Sequence, residues 1–414
     1  MIFETKRLSH ALDIVSMAIE RRNIIPVLAC ARVAMTLDRA GLDIAGTDLD
    51  IQIRATLGFP ANSTPPSGKT EKLIDLCMHA PDRVSRLIRA AGDEISVEQE
   101  EGEKLRLRGG PLDGTIGGLP GGDFPSIDIA EPERGFCATL GFEGIDMILR
   151  VANAVSTEET RYYLNGVYLH YEGGWTYTAV ATDGHRLHVG TIQLPDAERH
   201  LAKHGSTDRG IIIPRKTISI LKRLRPRMAS EHPIRIVAGP SRGSNQTKDL
   251  APEQAAKGYS RAAFTFQAAD LPIEIVTMLI DGTFPDYTRV IPQQDPAYPT
   301  IAFKRRDLAN AIDAISSGMG GRTKAIKLTF DPSGKLIVSG KWIDFGFEGQ
   351  IAIPAQTSVK TPFEVGYNGK YLRQIVDATT GEDLSINVQY PGAPGSIVDP
   401  AATDFRTVLM PMRI

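Results

Sequence analysis

The stretch Leu8-Ser-His-Ala-Leu-Asp-Ile-Val15 carries the pattern that decides the fold. Leu8, Ala11, Leu12 and Val15 follow the i, i+3, i+4, i+7 spacing that gives a helix one apolar face. The same kind of stripe recurs five more times along the 414 residues. The recurrences are Val84/Leu87/Ile88/Ala91, Ile145/Ile148/Leu149/Ala152, Thr217/Ile220/Leu221/Leu224, Leu308/Ala311/Ile312/Ile315 and Leu372/Ile375/Val376/Thr379.

The six stripes form two helices in each third of the sequence. Between the paired helices lie short β-type runs, such as those beginning at Leu42, Tyr177 and Lys335. These runs are too short and too separated for a parallel crossover fold. Each third is therefore predicted to contain a helix, strands, a second helix and more strands, and a unit of this size is a whole domain. The predicted fold class is α+β, with three similar domains per chain.

Two Pro-containing segments, 128–135 and 293–299, are typical of linkers. They predict domains at residues 1–130, 136–294 and 298–414. Gly122-Asp-Phe-Pro125 ends the first third, and Gly282-Thr-Phe-Pro285 ends the second. The second third is longer, and the polar stretch 241–261 is the predicted insert.

The composition, 42% apolar and 23% charged, is that of an ordinary soluble protein. No apolar run approaches the roughly 20 residues that a membrane span needs, and the N-terminus lacks an apolar signal segment. A cytoplasmic protein without a membrane partner is expected. The cysteines, Cys30, Cys77 and Cys137, are too scattered for a disulfide framework or a metal motif. We therefore expect buried thiols, no metal and no cofactor.

The net charge of −2 disfavours a nucleic-acid partner, but the positive charges are concentrated in the helical windows. The window 214–227 contains Arg215, Lys216, Lys222, Arg223, Arg225 and Arg227 and no acidic residue. Basic helices on an acidic body suit a protein whose helices face a phosphate backbone. The alternative is that these cations only form solvated helix faces.

Motifs for catalysis are nearly absent from the sequence. It has no phosphate-binding GxxxxGK[ST] loop, no GxSxG nucleophile elbow and no HExxH metal site. Asp183 and His185 are the best acid/base pair, and a hydrolase or transferase that uses them is the alternative from another functional class. Asp183-Gly184 lies between two strand-like runs, however, and this favours a hairpin turn.

Two further segments suggest binding surfaces. Arg161-Tyr162-Tyr163 places a cation and two aromatic rings in a predicted loop, where they could contact a phosphate and stack on a base, or begin a strand with buried rings. The terminal Met410-Pro-Met412 predicts a strand that finishes in an adaptable apolar surface, because methionine accommodates varied partners.

The residues resemble the bacterial DNA polymerase III beta subunit, the sliding clamp family. The resemblance covers the whole chain and rests on five motifs: Arg161-Tyr-Tyr-Leu-Asn-Gly166, Ala179-Val-Ala-Thr-Asp-Gly-His-Arg-Leu187, Ile213-Pro-Arg-Lys216, Asp281-Gly-Thr-Phe-Pro-Asp-Tyr287 with Arg289-Val-Ile-Pro292, and Met410-Pro-Met-Arg413. It implies a head-to-tail homodimeric ring that encircles double-stranded DNA without reading its sequence. The implied protein is a non-catalytic processivity factor that tethers polymerases.

The resemblance also implies particular site residues. The implied DNA contacts are Arg22, Arg161, Tyr162, Tyr163, Arg215 and Lys216, to which the basic fourth helix adds Lys222 and Arg223. Glu158 departs from the family pattern, since a carboxylate there would repel phosphate. The implied partner-peptide pocket, between the second and third domains, comprises Leu164, Thr182, Gly184, His185, Arg186, Leu187, Pro285, Val290, Asn368, Tyr371, Val408, Met410, Pro411, Met412 and Arg413.

The implied protein partners are the DNA polymerase III alpha subunit, the clamp-loader delta subunit, and other polymerases and repair proteins that carry clamp-binding peptides. The glycine-rich segment from Gly109 to Gly122 lies where the first domain of such a clamp pairs with its partner's third domain. A paralogue that binds partners without supporting replication is the alternative within the same family.

Overall fold

The structure, a computed structural model, describes residues 1–20, 23–36, 41–58, 72–129, 136–194, 210–239, 259–293, 295, 297–321 and 324–414. Arg22 and most of the predicted insert, 241–258, lie outside the described residues. The described chain falls into two compact units. The first is built from Met1–Phe142, Leu194–Ile211 and Ser219–Leu279, and the second from Glu143–Gln193, Ile212–Ile218 and Ile280–Ile414.

The described residues of the first third form two helices and eight strands. In chain order they are β1 (Ile2–Glu4), α1 (Thr5–Val15), β2 (Cys30–Thr36), β3 (Gly41–Thr47), β4 (Ile51–Gly58), β5 (Lys72–His79), α2 (Pro81–Ile88), β6 (Glu94–Glu100), β7 (Lys104–Gly109) and β8 (Leu112–Pro120).

The second third has the same order of elements among its described residues. They are β9 (Phe136–Leu140), α3 (Phe142–Val151), β10 (Gly166–Gly173), β11 (Thr176–Thr182), β12 (Arg186–Gln193), β13 (Ile211–Pro214), α4 (Arg215–Leu224), β14 (Ile234–Gly239), β15 (Arg261–Ala268) and β16 (Leu271–Met278).

The last third repeats the order once more. Its elements are β17 (Thr300–Lys304), α5 (Arg305–Ser317), β18 (Ala325–Asp331), β19 (Lys335–Trp342), β20 (Phe347–Thr357), β21 (Phe363–Asn368), α6 (Gly369–Ala378), β22 (Asp383–Asn387), β23 (Gly395–Val398) and β24 (Phe405–Leu409). The predicted threefold repeat of helix, strands, helix and strands is therefore confirmed. The residue boundaries of the three domains stay a prediction, because each compact unit includes part of the predicted second domain.

Each unit contains one antiparallel sheet, with twelve strands in the described residues. The order in the first unit is β1-β6-β7-β8-β5-β2-β3-β4-β16-β15-β14-β9, and in the second β13-β10-β11-β12-β24-β23-β22-β17-β20-β19-β18-β21. Strands from different thirds meet in both sheets. Ile53 on β4 pairs with Ile275 on β16, and Leu187 on β12 pairs with Val408 on β24.

The six predicted stripes fall on the six helices of the described chain, and most of their residues are buried. The stripes of α1, α4, α5 and α6 are buried throughout. Three positions differ from the prediction: Leu87 has 42% of its surface exposed, and Leu149 and Ala152 are half-buried. Helix α2 buries Ser85 in place of Leu87, and α3 buries Met147 and Val151 in place of Leu149 and Ala152. The buried face of each helix is therefore rotated from the predicted stripe.

Candidate nucleic-acid and peptide interfaces

The turn between β11 and β12 is fixed by its own side chains. Asp183 Oδ1 accepts hydrogen bonds from the backbone N–H groups of His185 (3.0 Å) and Arg186 (3.1 Å). Thr182 Oγ1 accepts from the Gly184 N–H and donates to the Arg186 carbonyl oxygen. Gly184 has φ of 88°, a left-handed conformation that glycine adopts without strain. The hairpin predicted from Asp183-Gly184 is therefore confirmed.

Asp183 and His185 do not form a catalytic dyad. The Asp183 carboxylate is 8% exposed and is engaged by two backbone N–H groups and by Arg186 Nε at 3.1 Å. The His185 ring stacks on Tyr371, with 6.2 Å between the ring centroids. The hydrolase or transferase alternative is wrong, because the only carboxylate proposed as an acid or base serves to shape the turn.

Arg186 connects this turn to α6. It is only 7% exposed, and its Nη1 donates to Gln374 Oε1 at 2.6 Å. Its guanidinium carbon lies 4.5 Å from the centroid of the Tyr371 ring, a cation–π contact. With the ion pair to Asp183, these contacts occupy three sides of the guanidinium group. Arg186 therefore forms part of the pocket wall.

The start of α6 orients Tyr371. Asn368 caps this helix, since its Oδ1 accepts from the N–H groups of Lys370 (3.0 Å) and Tyr371 (3.4 Å). Burial raises the pKa of Tyr371, and the nearby Asp183 carboxylate raises it further. The phenol therefore stays protonated and able to donate a hydrogen bond at neutral pH.

The apolar side of the candidate pocket belongs to one buried cluster. Its members are Leu164, Val180, Leu187, Val189, Ile212, Phe284 and Val408, with Tyr163, Tyr168, Ile280, Tyr287 and Ile291 packed against them. Leu164, Leu187 and Val408 are less than 5% exposed. Pro285 and Val290 are exposed residues next to Phe284 and Ile291, and 49% of Val290 is accessible. Pro285 and Val290 therefore form an apolar rim beside the buried cluster.

Aromatic side chains pack against the segment 284–291, which carries Pro285 and Val290. The rings of Tyr168 and Phe284 stack with 5.0 Å between their centroids, and His170 Nε2 lies 3.0 Å from the Tyr287 hydroxyl. Burial lowers the pKa of His170 and raises the pKa of Tyr287, and Glu172 raises both. At neutral pH the imidazole and the phenol are therefore both uncharged, which suits a contact packed among rings.

The C-terminal tail, residues 410–414, completes the candidate pocket. The Met410 N–H donates to the His185 carbonyl oxygen, and the Met412 N–H donates to the Gly366 carbonyl oxygen, each at 2.8 Å. A Cβ atom added to Gly366 would lie 2.7 Å from the Met412 carbonyl oxygen and would also meet Ile414. The tail can approach β21 closely because residue 366 has no side chain. Met410 is 41% exposed, and its thioether is accessible to a ligand.

The structure thus brings together most of the predicted pocket residues. Direct contacts or one buried cluster join Leu164, Thr182, Gly184, His185, Arg186, Leu187, Asn368, Tyr371, Val408 and Met410. Pro411 and Met412 are half-buried in the tail, and Arg413 is exposed. Their binding role stays a prediction.

Sequence reasoning missed two residues of this site. Gln374 lies three residues after Tyr371, so helical spacing places both on one face of α6. Gly366 lies inside strand β21, and an interior strand glycine often marks a close approach of another backbone. Both signals were present in the sequence, although neither identifies its contact partner.

The predicted loop around Arg161 is a 3-10 segment, Glu159–Leu164. Arg161 forms an ion pair with Glu158 at 2.7 Å and donates to the Asp183 carbonyl oxygen at 3.0 Å. Glu158 therefore neutralises a cation that the sequence assigned to phosphate binding. Tyr162 is 54% exposed, and its ring meets Tyr163 edge-on. The exposed ring is available for stacking, whereas Tyr163 packs against the buried cluster.

Helix α4 has the clearest division between an apolar and a basic face. Thr217, Ile220, Leu221 and Leu224 are each less than 5% exposed. Arg215, Lys216, Lys222 and Arg223 are exposed, and the helix contains no acidic residue. Such a face attracts phosphate through charge alone and has no preference for a base sequence.

Several other helices neutralise part of their own charge. Arg89, the residue directly after α2, has its Nη2 2.7 Å from Asp13 Oδ2 on α1. On α5 and α6, Arg373 forms ion pairs with Asp313, at 3.0 Å, and with Asp377. The predicted DNA-facing role is thus strongest for α4.

Within the described ranges, no group of three or more His, Cys, Asp or Glu side chains is placed to hold a metal ion. The same part of the chain has no helix that is both long and apolar enough to cross a membrane. Cys30 and Cys77 are buried free thiols, and burial raises the pKa of both, to about 12 for Cys77.

Three repeats of two helices and antiparallel strands, together with a basic helix face, have the architecture of the DNA sliding clamps. Comparisons with known proteins agree. A family model described as DNA polymerase III beta subunit, central domain, matches residues 144–286. The beta sliding clamp of Caulobacter vibrioides is 30% identical over 423 residues, with 100% of each chain covered. That of Pseudomonas aeruginosa is 26% identical and covers 99% of each.

Solved structures give the same result. A Caulobacter crescentus beta sliding clamp superposes with a TM-score of 0.79 at 26% identity, covering 100% of this chain and 98% of the other. A sliding clamp from Bartonella birtlesii bound to griselimycin gives a TM-score of 0.79 at 25% identity, covering 100% and 99%. The chain belongs to the family of bacterial beta sliding clamps, the beta subunits of DNA polymerase III. It is a DNA sliding clamp, a non-catalytic processivity factor that works as a homodimer with DNA and polymerase as partners.

Proposed function

We propose that the exposed cations of α4 are the principal contacts of this clamp with duplex DNA. The carrying observation is that Arg215, Lys216, Lys222 and Arg223 lie exposed on a helix without acidic residues. Diffuse contacts of this kind are replaced by equivalent ones at the next phosphate, so they permit sliding. The exposed ring of Tyr162 is a further proposed contact. Arg161, which is paired with Glu158, and Arg22 are proposed as contacts from the family resemblance.

We further propose that the pocket formed by the β11–β12 turn, the start of α6 and the C-terminal tail binds the clamp-binding peptides of partner proteins. The half-exposed Met410 and Val290 offer adaptable apolar surface, and Tyr371 offers a hydroxyl. The proposed partners are the DNA polymerase III alpha subunit, the clamp-loader delta subunit, and other polymerases and repair proteins. The proposed place of action is the cytoplasm.

Head-to-tail dimerisation is supported by two strand edges, one in each unit. Among the described residues, β8 from Leu112 to Gly117 pairs only with β7, and β20 from Phe347 to Ile353 pairs only with β19. Unpaired strand edges bind other strands readily. We propose that these edges pair with those of a second copy, and that the predicted three domains, 1–130, 136–294 and 298–414, are the building units of the ring.

Peptide binding tests the proposed pocket. A fluorescent peptide with one Gln and two apolar anchors should bind in the micromolar range, about −8 kcal/mol. A chain truncated after Leu409 should remain a dimer by light scattering and lose the peptide, because the removed residues follow the last strand. Unchanged affinity after truncation would show that the pocket lies elsewhere. Growth of a clamp-deficient bacterium that carries this chain would separate a replicative clamp from a paralogue that only binds partners.

A further inference from the structure

A second cleft lies beside the proposed peptide pocket, within the second unit. It has a volume of about 600 Å³ and lies between the segment 288–293 and the strands β23 and β24. Ser396 and Val408 are directly paired across the two strands, so they share one face of the sheet. Val398 and Arg406 follow on the same face, because side chains alternate along a strand. Ile291 and Pro292 line the opposite side.

The cleft is continuous with the pocket through shared residues. Val408 belongs to the buried cluster under the pocket, Ile291 packs against that cluster, and both also line the cleft. Val290, on the pocket rim, directly precedes Ile291. A polypeptide anchored in the pocket could therefore continue into the cleft without leaving the protein surface. The volume of the cleft suits a few residues of an extended chain, since ligand sites range from about 300 to 1,000 Å³.

The charges around the cleft favour an acidic occupant. Arg406 is exposed and forms no ion pair within the described ranges of the chain. The neighbouring Arg289 is different, because it pairs with Asp286 at 2.7 Å. Asp399 also lines the cleft, but it is 2% exposed and its carboxylate accepts N–H groups of Thr380, Gly381 and Ala401. The accessible charge of the cleft is therefore positive.

We propose that this cleft binds the part of a partner polypeptide that adjoins its pocket-anchored residues, and that Arg406 selects an acidic side chain there. The proposal rests on the proposed peptide pocket. The occupant is an extended acidic segment, because the cleft joins apolar surface, the hydroxyl of Ser396 and the exposed Arg406, which is unpaired in the part of the chain that the structure describes. Arg406 thus adds to the affinity of partners that carry a carboxylate next to their anchor, and it discriminates among them.

The test uses three peptides and three forms of the full chain. One peptide carries only the anchor residues, and the other two add a pair of aspartates at the N-terminal or the C-terminal end. Anisotropy should show that one of the extended peptides binds the unaltered protein about two- to fivefold more tightly, the range of an exposed ion pair. Arg406→Gln should remove that gain and leave the affinity for the anchor peptide unchanged. Lys335→Gln, an exposed change of equal charge outside the cleft, should leave both unchanged.

The outcomes separate this proposal from the pocket itself. If no peptide binds, the proposed pocket is wrong and the cleft proposal fails with it. If the anchor peptide binds but neither extension tightens it, or the gain survives Arg406→Gln, the cleft does not hold the flanking segment and the pocket stands. An equal loss of the gain in Lys335→Gln would show a general charge effect and would overturn the role of Arg406.

Discussion

Arg186 in the pocket wall and Lys222 on α4 carry the same charge in opposite surroundings. Arg186 is 7% exposed and contacts Asp183, Gln374 and Tyr371. Lys222 is exposed on a helix without acidic residues. A buried, paired cation helps to shape a specific binding site. An exposed cation on a helix without acidic residues instead attracts any phosphate group electrostatically. A count of basic residues does not distinguish these roles.

The largest effect is expected on α4. Replacing Arg215, Lys216, Lys222 and Arg223 together with glutamine should lower DNA affinity about a hundredfold or more, equally for unrelated duplexes. The slope of the logarithm of the DNA-binding constant against the logarithm of the salt concentration should become less steep by roughly three to four, which is near one per lost phosphate contact. Titrations at several salt concentrations measure both.

A matched control is Arg373→Gln on α6. Asp313 and Asp377 already neutralise Arg373, so its loss should change DNA affinity far less than the loss of any one α4 cation that contacts phosphate. A larger loss from Arg373→Gln would mean that pairing does not predict which cations contact DNA.

The next effect concerns the pocket cation. Arg186→Met should lower the free energy of unfolding by about 3 kcal/mol, because Asp183 loses its buried partner. Peptide affinity should fall at least about tenfold, as the contact to Tyr371 is lost. Chemical denaturation and anisotropy measure the two quantities. The double variant Arg186→Met with Asp183→Asn should recover part of the lost stability. An Arg186→Met protein of unchanged stability would contradict the assignment of Arg186 to the pocket wall.

A smaller effect is expected at Gly366. Gly366→Ala places a methyl group 2.7 Å from the Met412 carbonyl oxygen, so the tail must move away from β21. We expect peptide affinity to fall about three- to tenfold while the thermal midpoint stays within a few degrees, because the tail follows the last strand. Gly392→Ala is the control, since a methyl group there meets only the Tyr390 ring at 3.4 Å. Equal peptide affinity in both variants would show that the tail position does not shape the pocket.

The smallest effect is expected at Glu158. Glu158→Gln removes the carboxylate that pairs with Arg161, so one more cation becomes available to phosphate. DNA affinity should rise about two- to threefold at low salt, and the gain should vanish as salt increases. A fall in affinity would mean that Glu158 serves mainly to hold Arg161 in position for DNA.

Much of the fold was predictable because each third repeats its apolar spacing. Leu308, Ala311, Ile312 and Ile315 are buried as their stripe predicts, and Asp183-Gly184 makes the predicted turn. The prediction for Leu87 was wrong because α2 buries Val84, Ser85 and Ile88, and this leaves Leu87 at the exposed side of the helix. The apolar spacing could not show that the polar Ser85 shares the buried face.

The contacts within the site were less predictable, because they join residues far apart in the chain. Arg186 meets Gln374 across 188 positions, and Arg373 meets Asp313 across 60. Charge counts along the sequence placed α4 correctly as the most basic helix, but they could not show that Arg373 is already paired.

The most direct test of the sliding-clamp account is retention on circular and linear DNA. The clamp is loaded by its own clamp loader onto a nicked circular plasmid and passed through gel filtration in high salt, where phosphate contacts alone hold proteins poorly. We predict that it stays with the circle and is released when a restriction enzyme cuts the plasmid, because a closed ring slides off a free end. Loss from the intact circle, or equal retention on linear DNA without blocked ends, would contradict the account.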